Sequence, residues 1–117
     1  MKSILTFVGV LFGFSVSHAQ DYIKAQYQIE SDLNITYGSA TDVAGNVRDL
    51  TMDVSYPTNA PDRSCGKPLM IIVHGGAFMS GDKGGGSLVT LREEFAKRGD
   101  ITASVNYRLG VLHTDKQ

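Results

Sequence analysis

The sequence predicts an α/β fold, an antiparallel hairpin followed by a strand–helix–strand unit whose two strands run parallel. Three observations predict it. Two segments alternate apolar and polar residues with a period of two. A later run, Leu69-Met70-Ile71-Ile72-Val73, is apolar without alternation. A segment with helical spacing lies between that run and another short apolar stretch. With 42% of its 117 residues apolar and no segment repeated at a fixed period, the chain suits a packed domain rather than a disordered or solenoid protein.

The first nineteen residues stand apart from that fold. Lys2 gives a positive start, residues 4–16 are almost wholly apolar, and Ser17-His18-Ala19 places small residues at the −3 and −1 positions of a cut before Gln20. This is the layout of a secretory signal peptide. The apolar run falls short of the ~20 residues that cross a bilayer. The expectation is therefore a leader over residues 1–19, a folded part over residues 20–117, a secreted or periplasmic location, and no stable membrane anchor once the leader is cut.

The elements follow in order. Leu33, Ile35 and Tyr37 alternate with Asn34 and Thr36, and Leu50, Met52, Val54 and Tyr56 alternate with Thr51, Asp53 and Ser55. Each pattern predicts a strand with its apolar side chains on the buried face. Gly38, Asp42 and Gly45-Asn46 lie between them, which predicts a turn and an antiparallel pair. The stretch from Pro57 to Pro68, with Asn59, Asp62, Ser64, Cys65 and Gly66, reads as a surface loop whose lone cysteine has no partner in the chain. Leu69–Val73 predicts a strand buried on both faces. Ser87 is placed to cap a helix carrying Leu88, Leu91 and Phe95, with Glu93–Lys97 and Glu94–Arg98 as i,i+4 pairs and Gly99 at its end. Ile101–Val105 completes the unit, with a right-handed crossover.

Charge excludes one class of function. Eleven Lys and Arg against twelve Asp and Glu leave a formal charge of −1, and the basic residues are interspersed, so no nucleic-acid partner is expected. The glycines point elsewhere. Six of thirteen lie between residues 75 and 86, at the C-terminal end of the apolar strand, where open α/β sheets bind ligands. Glycine there allows positive φ and lets backbone N–H groups approach an anion. Phosphate is excluded by spacing. After Gly76-x-x-x-x-Gly81 a P-loop needs Lys and then Ser or Thr, but Asp82 and Lys83 follow; the dinucleotide fingerprint fails at Val89. An oxyanion remains, beside a purely structural reading in which the glycines permit close helix–strand contact. No cofactor or metal is implied.

The stretches LTMDVSYP, KPLMIIVHGGAFMSGDK and EEFAKRGDITASVNYRLG, in that order and spacing, resemble the opening of the α/β-hydrolase carboxylesterase and lipase family, including its hormone-sensitive-lipase-like and xylan acetyl or feruloyl esterase-like members. The resemblance covers residues 33–110. It implies that the main-chain N–H groups of Gly76 and Ala77 form an oxyanion hole, that Gly75 shapes the loop, and that His74 supports it rather than acting in a triad. Ala77 stands where many relatives have a third glycine. The implied partner is a small-molecule or polysaccharide-linked ester. The family's nucleophile sits in a GxSxG elbow, and none is present: Gly13 to Ser17 and Gly85 to Val89 both fail at the last position. The expectation is thus the opening part of an exported serine carboxylesterase whose Ser, Asp and His lie beyond residue 117. The alternative is a non-catalytic binding module or inert remnant. On either reading residues 20–117 alone are expected to be poorly soluble and inactive on esters, with residues 69–73 at a bare apolar edge.

Overall fold

A computed structural model describes residues 23–61 and 66–110. The expected leader over residues 1–19, Asp62, Ser64, Cys65 and the C-terminal His113 lie outside the described residues. Strands β1 (Ile29–Thr41), β2 (Val47–Pro57), β3 (Leu69–Val73) and β4 (Ile101–Val105) form one sheet in the order β1-β2-β4-β3, with helix α1 (Gly86–Ala96) between β3 and β4 in sequence. β1 and β2 pair antiparallel, β2 and β4 antiparallel, and β3 and β4 parallel. This is the expected α/β class, hairpin and strand–helix–strand unit together.

The hairpin is longer than its alternating core. Its turn is built on Asp42, whose Oδ1 accepts the amides of Ala44 at 3.0 Å and Asn46 at 2.9 Å, while Gly45 takes a φ of 87°. These are the contacts of an Asx-type turn. Gly38 is not part of it: it lies within β1 at one of two register shifts, the other falling between Asp32 and Ile35 around Asn34. Such shifts bend a strand and re-aim its side chains.

Burial in the sheet inverts the expectation for β2. Asp53 and Ser55 are buried, whereas Leu50, Met52, Val54 and Tyr56 are half-exposed. The cause is α1, which lies on the Asp53 and Ser55 face. Its inward residues are Arg92 and Ala96, while Leu91 is exposed and Leu88 and Phe95 are half-buried. Arg92 donates to Ser55 Oγ at 2.8 Å, Ser104 Oγ at 3.0 Å and Asp53 Oδ2 at 3.2 Å, and Thr102 Oγ1 donates to the Arg92 carbonyl at 2.8 Å. The buried polar groups of this cluster are tolerated because each finds a partner. Only Ile72, Ala96 and Ala103 form a buried apolar core among the described residues.

β3 is at the sheet edge. Ile72 is buried on the helix side, but Leu69, Ile71 and Val73 are about three-fifths exposed on the opposite face. The two-sided burial read from the unbroken apolar run is therefore not met among the described residues, because nothing there covers that second face. At α1, Gly85 rather than Ser87 occupies the N-cap, and its carbonyl receives the amides of Leu88 and Val89. Lys97 pairs with Glu94 at 3.0 Å instead of Glu93, while Arg98 meets Glu94 at 3.7 Å as expected. Gly99, at φ 104°, turns the chain out of the helix.

Candidate functional site

The loop joining β3 to α1 begins at His74. Gly76 has a φ of 126°, a conformation essentially reserved for glycine, and a β-carbon there would lie 1.9 Å from the Ser80 carbonyl oxygen. Ala77 and Phe78 follow with φ of 52° and 62°. The Met79 amide donates to the Gly76 carbonyl at 2.9 Å, closing a turn whose two central residues both have positive φ, the sign pattern of type I′. Two successive non-glycine residues in that region store strain of about 1–2 kcal/mol each, of the kind that gathers at functional sites. The Gly110 amide holds the Phe78 carbonyl at 2.7 Å.

The amides of Gly76 and Ala77 donate to no group among the described residues, and both residues are exposed. Two adjacent free donors on a constrained loop can bind an anionic oxygen. The glycine requirement read at Gly75 falls on its neighbours instead. A β-carbon at Gly75 meets nothing within 4 Å, whereas one at Gly81, where φ is 113°, would lie 2.3 Å from His74 Nδ1 and 2.4 Å from the Gly75 carbonyl oxygen.

His74 is buried beneath this loop. Its Nδ1 lies 2.8 Å from the Gly75 carbonyl oxygen, to which the ring donates. The ring stacks on Tyr107 with centroids 4.4 Å apart, and Tyr107 donates its hydroxyl to the His74 carbonyl at 3.1 Å. Phe78 meets the same tyrosine edge-on at 5.8 Å. Among the described residues no carboxylate or side-chain hydroxyl hydrogen-bonds the ring, and its buried Nε2 has no partner.

The far end of the loop is fastened by polar contacts. Asp82 accepts the Gly84 amide at 2.7 Å and Asn106 Nδ2 at 2.9 Å. These two bonds, with smaller help from Lys83, hold its carboxyl below the usual range. Lys83 is buried, donates its amide to Asn106 Oδ1 at 2.7 Å, and sends its ammonium to Asp53 Oδ1 at 2.8 Å and Asn34 Oδ1 at 2.9 Å. A cavity of about 500 Å³ lies between the hairpin tip and residues 106–110. His74, Met79, Gly81 and Asp82 border it, but Gly75, Gly76 and Ala77 do not. No group of three or more potential metal ligands occurs among the described residues, and no helix there is long and apolar enough to cross a membrane.

Sequence reasoning singled out residues 74–77 and missed Gly81, Tyr107 and the Asn34, Asp53, Lys83 and Asn106 contacts. Lys83 drew notice only as a misplaced P-loop lysine. The NYRLG stretch containing Asn106 and Tyr107 was visible as part of the resemblance, without a role.

Comparison with known proteins identifies the family and supports the fold. Residues 19–113 match the carboxylesterase family. The chain is 33% identical over 96 residues to the "Crystal protein" of Dictyostelium discoideum, covering 82% of this chain and 17% of that protein. Its fold is similar to brefeldin A esterase, a bacterial homologue of human hormone sensitive lipase, with a TM-score of 0.52, 18% identity, and coverage of 86% of this chain and 26% of the esterase. The chain thus spans about a quarter or less of either relative.

Proposed function

Because this chain belongs to the carboxylesterase family, we propose that it forms the opening part of an exported carboxylic-ester hydrolase and supplies that enzyme's oxyanion hole. The observation that carries the proposal is the pair of undonated amides at Gly76 and Ala77, held in a strained turn at the C-terminal end of a sheet strand. As a nucleophile adds to an ester carbonyl, the carbonyl oxygen gains negative charge. Donors already in place stabilise that state more than the ground state, and one such donor is worth about 3–4 kcal/mol of barrier. His74 supports the loop through Gly75, Gly81 and Tyr107. The nucleophile, acid and base are to be sought outside these 117 residues, since no GxSxG occurs within them. The substrate proposed is a small-molecule or polysaccharide-linked ester.

The test removes one atom group. Replacing Ala77 by lactic acid in the complete polypeptide turns its amide into an ester link, deleting the N–H while keeping the methyl. The expected result is a fall in kcat of about 100- to 1,000-fold with little change in KM. An unchanged kcat removes Ala77 from the oxyanion hole. Export is tested separately: N-terminal sequencing of the mature protein should begin at Gln20, and retention of Met1 in the extracytoplasmic fraction would contradict the leader.

A second reading has one observation in its favour. The Dictyostelium relative carries a name that states a crystal rather than an activity. On that reading the loop binds or packs without turnover, and the complete polypeptide forms no covalent adduct with a fluorophosphonate ester probe.

A further inference from the structure

We propose that Lys83 is a positioning residue, which clamps the far end of the loop to the hairpin and so holds the Gly76 and Ala77 amides in place. The inference rests on the oxyanion-hole reading above and extends it to a residue that touches no substrate.

Asp53 already has a cation. Arg92 lies 3.2 Å from its Oδ2, and the two side chains are 7% and 3% exposed. Neutralising one buried carboxylate does not call for a second buried cation, and burying an ammonium has a substantial desolvation cost. Lys83 nevertheless reaches Asp53 Oδ1 at 2.8 Å with its side chain 8% exposed. What Lys83 adds is a connection. Its backbone belongs to the loop between β3 and α1, and its ammonium ends on β1 and β2 through Asn34 and Asp53.

The hairpin is shaped for that connection. Asn34 has a φ of 59° and sits where the β1–β2 register shifts. In that conformation its amide donates to Asp53 Oδ1 at 2.8 Å while its Oδ1 accepts from Lys83 at 2.9 Å. A strained bulge therefore presents both of its polar groups to the same ion pair. The clamp is doubled on the main chain, because the Lys83 amide is held by Asn106. Between this anchor and His74, the loop's other restraints are the type I′ turn, the Phe78–Gly110 bond, the His74–Gly75 and Asp82–Asn106 hydrogen bonds and the edge contact of Phe78 with Tyr107. Releasing one end lets the donors move, and a displacement of ~1 Å at a reacting group costs about 100-fold in rate.

The experiment uses the complete polypeptide with Lys83→Met, which keeps the buried stem and leaves Arg92 on Asp53. Assays run at a temperature where circular dichroism shows the variant fully folded. The expected result is a 10- to 100-fold fall in kcat with KM within about twofold. Affinity for a trifluoromethyl ketone, whose carbonyl oxygen becomes an oxyanion when the nucleophile's oxygen bonds to its carbon, falls by the same factor. Lys83→Arg, which can span the same gap, restores most of both. Amide exchange at Met79 and Ser80, whose N–H groups bond the Gly76 carbonyl, quickens about tenfold in Lys83→Met while that of β2 and β4 is unchanged. Unchanged loop exchange overturns the clamp whatever the activity. If the Ala77 lactate substitution abolishes turnover but Lys83→Met leaves kcat and ketone affinity as in the native protein, the clamp fails and the oxyanion-hole reading stands. If the lactate substitution has no effect, that reading fails, and the positioning role fails with it.

Discussion

Asp53→Ala is expected to destabilise the complete polypeptide by about 3–5 kcal/mol, read as a lower urea midpoint at unchanged slope. The carboxylate is the shared counter-charge of Arg92 and Lys83, whose side chains are 3% and 8% exposed. Removing it leaves two buried cations with only hydroxyl and amide partners, a far worse state than the intact pair. The effect carries a pH signature. Burial opposes ionisation of Asp53, but the Asn34 amide, the Lys83 ammonium and Arg92 together outweigh it and hold the carboxyl below its ordinary value. A group depressed on folding stabilises the native state above its unfolded pKa, ~3.9 for Asp. That stabilisation is lost as pH falls through the lower folded value. The gap between native protein and Asp53→Ala should therefore be full at neutral pH and shrink below about pH 4. Equal midpoints at pH 7 would show that the cluster contributes nothing.

On the oxyanion-hole proposal, Gly76→Ala in the complete polypeptide is expected to lower the kcat of ester hydrolysis by about 100-fold or more, while Gly75→Ala stays within about threefold of the unsubstituted polypeptide. The two glycines are adjacent in the same motif, yet the structure separates them. At Gly76 a β-carbon would sit 1.9 Å from the Ser80 oxygen and 2.6 Å from its carbonyl carbon, both main-chain atoms that cannot swing aside. The φ of 126° adds strain of about 1–3 kcal/mol for any residue with a β-carbon. The turn must therefore re-form, carrying the Ala77 amide away. At Gly75 the methyl enters open space. Steady-state ester hydrolysis by the two variants checks the contrast, and equal losses would mean that the first glycine contributes through something other than loop geometry.

The strand and helix order was legible because periodicity and turn chemistry are local. The unbroken run at 69–73, the Asp42 and Gly45 turn and the glycine at 99 each declare an element without reference to the rest of the chain. What lay beyond local reading was the direction in which β2 faces. Alternation of Met52 and Val54 with Asp53 and Ser55 says that the two sets point to opposite sides, not which side the helix covers. Hydrophobicity chose the apolar set, and Arg92 overrode that choice by offering the polar set a buried partner. At the site, HGG marked the loop but not its support. Gly81, Tyr107 and Asn106 act at distances in sequence that no spacing rule connects to His74, and Lys83, noticed only as a misplaced P-loop lysine, has its partners on both strands of the hairpin.

The ring of contacts around Arg92 also works as a ruler. Hydrophobic contact is tolerant of sliding, since Met52 and Val54 could exchange places beneath an apolar helix at small loss. A guanidinium that needs Asp53, Ser55 and Ser104 together has no such tolerance. If β2 slips by one residue against β4, Met52 or Val54 comes under Arg92, and a buried cation loses its counter-ion. Misaligned sheets are thereby disfavoured by several kcal/mol, and Asn34 and Asn106 meet Lys83 and Asp82 of the loop between β3 and α1 only when every strand is in its proper place.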